Sequence, residues 1–262
     1  MAIINLTPDS FSDGGTFFAG KRVDVDSVLR HVESALVAGA DLLDIGGEST
    51  RPGATPVSEQ EELDRVLPVL EAIVSRFEVP VSLDTSTARV MVEGAARGAA
   101  MINDVRALRR EGALTAAAST NLPICLMHMQ GEPGSMQAAP HYDDVCAEVM
   151  AFFEQRVVAA AGVGIARERL VIDPGFGFGK TLDHNLALFR ALGQFAKRFP
   201  LLVGVSRKSM IGALLDNREV SGRVSASVAL ALMAAQAGAA IVRVHDVEPT
   251  ADALKMLRAV GQ

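Results

Sequence analysis

Short apolar runs recur along the chain, and each closes on a residue that can do chemistry. Ala2-Ile3-Ile4 closes on Asn5, Asp41-Leu42-Leu43 on Asp44, residues 79–83 on Asp84, and Ala100-Met101-Ile102 on Asn103 and Asp104. Residues 123–127 close on His128 and Leu170-Val171-Ile172 on Asp173. Residues 201–205 close on Ser206, Arg207 and Lys208, and Ala240-Ile241-Val242 on Arg243, followed by Val244 and His245. Runs this short and continuous are strands buried on both faces, as in a parallel sheet. Helical periodicity fills the intervals, predicting helices over residues 25–37, 59–76, 88–97, 112–119, 144–161, 184–199, 222–237 and 250–259. About eight β-α units in ~250 residues predict an α/β fold, the (β/α)8 TIM barrel, with its active site at the C-terminal ends of the strands. The polar closing residues stand at that end.

Val66, Leu67, Leu70, Ile73 and Val74 recur at helical spacing and are expected to face the barrel. Gly39, Gly98, Gly162 and Gly238 stand where a helix hands back to a strand, which is a C-cap position. The segments after the first, second and fifth strands are long, residues 6–24, 46–58 and 129–143. Long loops on the active face are expected to act as lids or substrate clamps.

The 262 residues suit one large barrel, and no Pro/Ser-rich linker or charge block divides them. A net charge of −6 argues against nucleic acid, which needs a basic surface, but permits an anionic small substrate held by a local cationic cluster. Cys125 and Cys146 form no disulfide framework, and Cys125 lies inside a strand run. With no visible signal peptide, a cytoplasmic location is expected. Residues 224–240 come nearest to a membrane span, but Ser225, Ser227 and Gln236 fit a buried amphipathic helix better, so no membrane partner is expected.

Gly175-Phe176-Gly177-Phe178-Gly179-Lys180-Thr181 is not a Walker A loop, because Pro174 occupies the position of its first glycine. It predicts a tight turn that lets backbone approach a ligand beside Asp173, with Phe178 as an exposed aromatic wall. Arg243 and His245 alternate onto one strand face, leaving Val244 to pack on the other. Barrels often bind phosphate near strands seven and eight, and Asn5 on neighbouring strand one offers an oxygen to a divalent cation touching that phosphate. Asp84, Asn103 and Asp173 should meet in the mouth, where acceptor-only carboxylates and a two-way amide suit a flat heterocycle with N–H groups along its edge. Lys208 adds a donor for a ring oxygen. The alternatives are a structural polar network capping the barrel and a Schiff-base role for Lys208. Arg51, within Glu48-Ser49-Thr50-Arg51-Pro52-Gly53, is placed to swing in on an anion.

These residues closely resemble one family. Asn5-Leu6-Thr7-Pro8-Asp9-Ser10-Phe11-Ser12-Asp13-Gly14-Gly15 is similar to the opening signature of the dihydropteroate synthases, and Asp44-Ile45-Gly46-Gly47-Glu48-Ser49-Thr50-Arg51-Pro52-Gly53 to their second. Ser82–Thr85, Ile102–Val105, Leu126–Met129, Ile172–Thr181, Ser206–Ser209 and Arg243–Val247 continue the likeness in order, so it covers essentially the whole chain. It implies a transferase of folate biosynthesis joining 4-aminobenzoate to (7,8-dihydropterin-6-yl)methyl diphosphate, with 7,8-dihydropteroate and diphosphate as products. Asp84, Lys208, Arg51 and Asp13 match the catalytic positions. Asp84, Asn103, Val105, Met127, Asp173 and Lys208 match the pterin pocket. Asn5, Arg243, His245 and Arg51 match the diphosphate site, with Mg2+ at Asn5. Thr50, Pro52, Phe11, Phe178 and Ser209 match the aminobenzoate slot, and Ser12 accompanies Phe11 and Asp13 in the first mobile loop.

The resemblance also implies a homodimer, with which the Ala-rich segment 227–237 is compatible, and sulfonamides as competitors for the aminobenzoate slot. Family members carry a short segment before the first strand, and Met1 stands where they have an internal methionine, with Ala2 for the commoner glycine. This predicts a truncated or misassigned start, which an in-frame upstream start codon would support. Two rivals remain. A pterin-binding methyltransferase that serves a corrinoid shares the barrel but needs neither the Thr50-Arg51-Pro52 loop nor the Arg243/His245 anion site. A catalytically silent paralogue would bind pterin diphosphate without aminobenzoate-dependent turnover.

Overall fold

In the computed structural model, strand β1 (Ala2–Asn5) leads into a small antiparallel hairpin of β2 (Phe18–Ala19) and β3 (Arg22–Val23). The structure describes residues 1–8, 17–19, 22–49, 57–131 and 136–261. β1 then pairs in parallel with β4 (Leu43–Gly46), and the ladder runs on through β5 (Val81–Asp84), β6 (Met101–Asp104), β7 (Ile124–Met127) and β8 (Leu170–Asp173). A second parallel pair, β9 (Leu202–Val203) and β10 (Ile241–Val242), is joined to the six-stranded sheet at both edges. Single parallel bridges, Ile172 with Leu201 and Ala2 with Val244, make the joins. The eight parallel strands therefore form the expected ring, with its two seams held by bridges rather than by full ladders.

The burial pattern explains the continuous apolar runs. β4, β6 and β7 are buried at every residue. Ile102, Ile124, Leu126 and Ile172 join the outer shell under the helices. Met101, Cys125 and Leu202 pack together on the inner side, with Met1, Leu42, Val171 and Ile241 around them. With apolar neighbours on both faces, polar groups gather toward the C-terminal ends, at Asp84, Asn103, Asp104 and Asp173, while Ser82 and Asp44 are buried one residue into β5 and β4.

Helices α1 (Val25–Val37) and α2 (Glu59–Arg76) begin where a side chain satisfies free amides. Asp24 accepts from Ser27 N, and Ser58 from Glu61 N. On α2, Val66, Leu67, Leu70 and Ile73 are buried as expected, each contributing about 1.5–3 kcal/mol. Val74 is a correction. It is 39% exposed, because it lies one residue past Ile73 and about 100° around the helix from it. Helices α3 (Ala88–Ala96), α4 (Ala113–Thr120) and α5 (Val145–Gly162) follow. Gly162 is therefore a helical residue rather than the C-cap, and the left-handed position falls two residues later at Gly164.

The single helix expected over 184–199 is two, α6 (Leu182–Arg190) and α7 (Leu192–Ala196). A short helix α8 (Ser209–Leu214), missed in the sequence, follows Lys208 directly. The 222–237 segment is a 3-10 turn, Val220–Arg223, running into α9 (Val224–Gln236). The last helix, α10 (Val247–Val260), starts before Pro249, since proline in a first turn forfeits no helical hydrogen bond. Among the described residues no helix is long and apolar enough to cross a membrane.

Candidate active site

Arg243, just beyond β10, reaches across the mouth to two carboxylates. Its Nε donates to Asp44 Oδ2 at 2.6 Å, and Nη2 to Asp84 Oδ2 at 3.0 Å. Asn103 Nδ2 donates to the same Asp44 oxygen at 3.0 Å. Asp84 and Asn103 sit side by side in register on β5 and β6. The expected meeting of these strand ends therefore occurs, and Asp44 is its hub. Sequence reasoning saw Asp44 close a strand but gave it no task. Asp44 is fully buried, and a buried carboxylate must have partners, which here come from 59 and 199 positions away.

Electrostatics follow from that crowding. Burial, and then the neighbouring Asp44 charge, raise the Asp84 carboxyl to about 8, against the pull of Arg243. Burial by itself acts to lower the Arg243 guanidinium, but Asp44 and Asp84 outweigh it and the net shift is upward. An anion that claimed part of the guanidinium would meet a cation already oriented by two side chains.

Asp173 ends β8, paired in register with Met127. One of its carboxylate oxygens accepts from Gly175 N at 2.7 Å. Burial raises its carboxyl, while Lys208 and the Gly175 N–H oppose the rise. Lys208 donates to the Phe176 carbonyl, and its ammonium lies 4.8 Å from the centre of the Phe178 ring. Burial lowers this lysine to about 8, with Asp173 pulling the other way. Val105, Met127, Met129 and Met136 form one small apolar cluster against which Phe178 packs. The expected apolar walls Val105 and Met127 thus stand together with Phe178, which is half-buried rather than fully exposed. Ser209 is exposed at the start of α8, next to Lys208.

His245 shares the inward face with Arg243, while Val244 packs at 5% exposure as alternation requires. Ser206 Oγ lies 3.0 Å from His245 Nδ1 and accepts from His245 N at 3.2 Å, which fixes the ring. Asn5 ends β1 half-buried, in register with Gly46. The expected sites Phe11, Ser12, Asp13, Thr50, Arg51 and Pro52 lie outside the described residues.

Two features show only in the structure. First, a Cβ on Gly175 would fall 1.9 Å from the His128 carbonyl oxygen, and one on Gly179 would fall 2.5 Å from that of Gln130, so these two glycines let the turn press on the segment after β7. Secondly, His128 ends a strand but leaves the mouth. It is buried against Phe152, with ring centres 4.8 Å apart, and burial followed by the nearby Lys180 charge lowers it to about 2. Asp104 also turns outward, accepting from Ser86 and from the amides of Arg106 and Leu108. Adjacent strand residues point to opposite faces, so of each polar pair only one can enter the mouth.

The rim is thus an oriented cation between carboxylates, a carboxylate and amide pair, and a lysine beside an aromatic and methionine wall. Comparison with known proteins identifies it. Residues 1–245 match the model of the pterin binding enzymes. The chain belongs to that family. Within it, the chain groups with the dihydropteroate synthases. It is 54% identical over 260 residues to the dihydropteroate synthase of Escherichia coli K12, covering 99% of this chain and 90% of that one. A Yersinia pestis dihydropteroate synthase solved with a sulfonamide drug complex superposes with a TM-score of 0.95 at 52% identity, covering 99% of this chain and 93% of that one. A Xanthomonas albilineans dihydropteroate synthase with 4-aminobenzoic acid superposes with a TM-score of 0.90 at 50% identity, covering 99% and 92%. As one of the dihydropteroate synthases the chain is a transferase, and the corrinoid-serving methyltransferase reading falls away.

Proposed function

We propose that this mouth makes 7,8-dihydropteroate by letting diphosphate leave the pterin methylene before 4-aminobenzoate attacks. The observation that carries the reading is the lining of the rim: Arg243 is preoriented by Asp44 and Asp84, and Lys208 is held on the Phe176 carbonyl beside the Phe178 ring. The pterin ring lies on Met127 and Val105. Asp173 accepts from its amino and N3 hydrogens, Asn103 meets ring nitrogens, and Lys208 donates to the ring oxygen. Arg243, His245 and Asn5 take the diphosphate, joined by Arg51.

Charge held at the departing oxygens lowers the barrier to C–O cleavage, in which the bonding pair leaves with diphosphate. The methylene cation left behind is shared with the ring nitrogens and faced by Asp84. Aminobenzoate, a weak base that is largely neutral near pH 7, needs positioning more than deprotonation. It sits by Phe178, Ser209, Phe11, Thr50 and Pro52. Its nitrogen lone pair forms the new C–N bond, and the displaced proton leaves to diphosphate. The loops bearing Asp13 and Arg51 exclude water, which would otherwise capture the cation.

Magnesium fits this site as a shared ion. Among the described residues no group of three His, Cys, Asp or Glu side chains is placed to hold a metal, so Asn5 would supply one oxygen, with diphosphate and water the rest. When bound, the ion neutralises diphosphate charge. The nearly all-round apolar face of α9 supports a homodimer, and the acidic net charge with two unpaired cysteines supports a cytoplasmic enzyme with no nucleic-acid partner.

The test is diphosphate release from the pterin diphosphate with magnesium, with and without aminobenzoate, alongside product identification. Aminobenzoate-dependent release with dihydropteroate formed is expected. Tight pterin binding without turnover would return the silent-paralogue reading. Arg51→Ala should spare binding of the free pterin and lower turnover.

A further inference from the structure

Every carbonyl from Gly175 to Gly179 accepts a hydrogen bond from a side chain. Lys180 takes those of Gly175 and Phe178, both at 3.0 Å, and Lys208 takes that of Phe176. Gln137 takes that of Gly177, and Tyr142 takes that of Gly179 at 2.9 Å. The amides are tied as well, Gly175 N to Asp173 and Gly177 N to Asn185. Lys180 is central to this arrangement. Its ammonium is 4% exposed as a residue and lies 2.9 Å from His128 Nδ1, with the His128 carbonyl at 3.3 Å. An ammonium has three protons, so the close partners are the imidazole nitrogen and two turn carbonyls, with the His128 carbonyl sharing. His128 must then be the acceptor at Nδ1, as a neutral imidazole.

A lysine buried only for packing would be a costly choice, since an apolar side chain fills space without desolvating a charge. This one joins the turn to the end of β7. The turn in turn carries two things the pocket uses: the Phe176 carbonyl that holds Lys208, and the Phe178 ring that lies on the Met127–Val105 wall. Lys180 also adds positive charge near Asp173, along with Lys208 and Arg243.

We propose that Lys180 is a positioning residue for pterin recognition: touching no substrate atom, it fixes the Gly175–Gly179 turn and thereby sets Lys208 against the pterin ring, with Phe178 beside it. The inference rests on the assignment of Asp173 and Lys208 to the pterin.

The test compares two probes by calorimetry, 6-hydroxymethyl-7,8-dihydropterin and inorganic pyrophosphate, on the whole protein. Lys180→Met removes charge and donors at similar volume, and Lys180→Gln keeps some donors. Circular dichroism and thermal unfolding report whether each variant folds. Lys180→Met should bind the pterin about tenfold or more weakly than wild type and Lys180→Gln should fall between the two, with pyrophosphate affinity within about twofold of wild type in both. Equal losses for both probes in a folded variant would mark a general structural role and overturn the proposal, as would pterin affinity within about twofold of wild type. If neither variant folds, Tyr142→Phe decides, because it loosens the same turn at Gly179 alone. A pterin-selective loss supports the proposal, and no loss overturns it. Lys208→Ala runs alongside: unchanged pterin affinity there would remove the pocket assignment itself rather than the role of Lys180.

Discussion

On the β4, β5 and β10 side of the mouth a cation is held by side chains, Arg243 between Asp44 at 2.6 Å and Asp84 at 3.0 Å. On the β8 and β9 side the cations rest mainly on main chain, Lys208 on the Phe176 carbonyl and Lys180 on those of Gly175 and Phe178, with the His128 ring beside Lys180. Side-chain partners can exchange: a diphosphate can take part of the guanidinium while the carboxylates keep the rest. Main-chain partners cannot rotate away, and they preset a shape. One side is thus suited to a charge that arrives and departs, and the other to a neutral ring that must be read the same way each time.

The sharpest break of this contrast is Arg243→Met. It leaves Asp44 and Asp84 facing each other without their counter-ion, so the unfolding free energy in urea should fall by about 3–5 kcal/mol and pyrophosphate binding should vanish. Lys208→Met, whose partner is a carbonyl, should change stability far less. Equal losses in the two variants would erase the distinction. Next in size, Asp173→Asn should weaken binding of the diphosphate-free pterin by about 2 kcal/mol, roughly thirtyfold, and spare pyrophosphate.

A pH series sharpens the same contrast. Asp84 is raised to about 8 in the folded protein by burial and by Asp44, above its ordinary value of 3.8. Between those values the folded state binds more protons at this site than the unfolded state does, so its contribution to stability is present at low pH and is lost as pH rises from about 4 through about 8. Lys208, Lys180 and His128 shift the opposite way, so the readout is the difference between wild type and Asp84→Asn. That difference should move against wild type across this window, and a flat difference would contradict the assignment. The smallest effect is expected for His245→Gln. It should cost about three- to fivefold in pyrophosphate affinity at unchanged pterin affinity, because Ser206 and Arg243 remain.

Much of the fold was legible because short apolar runs mark strands buried on both faces, and because apolar residues recur at helical spacing between them. The helices Val25–Val37 and Glu59–Arg76 coincide with the bounds expected from periodicity. The helix break at Ala191 was hidden because the apolar period runs on through it. Residues that the structure gathers at the mouth, Asp84, Asn103 and Arg243, were also legible, since their chemistry is named by residue type. What lay out of reach were partners distant in the chain. Asp44 meets Arg243 across 199 positions, and Lys180 meets His128 across 52. A glycine-rich turn gives no sign in the sequence of the backbone it will press on, which at Gly175 and Gly179 is that of His128 and Gln130.

The proposed order is diphosphate departure first and C–N bond formation second. It is tested most directly by deuterating the pterin methylene and measuring the single-turnover rate with saturating 4-aminobenzoate. A dissociative step frees the methylene hydrogens as the carbon flattens, and predicts a normal secondary isotope effect clearly above unity. An effect at or below unity would mean that the amine enters as diphosphate leaves, and would contradict the account.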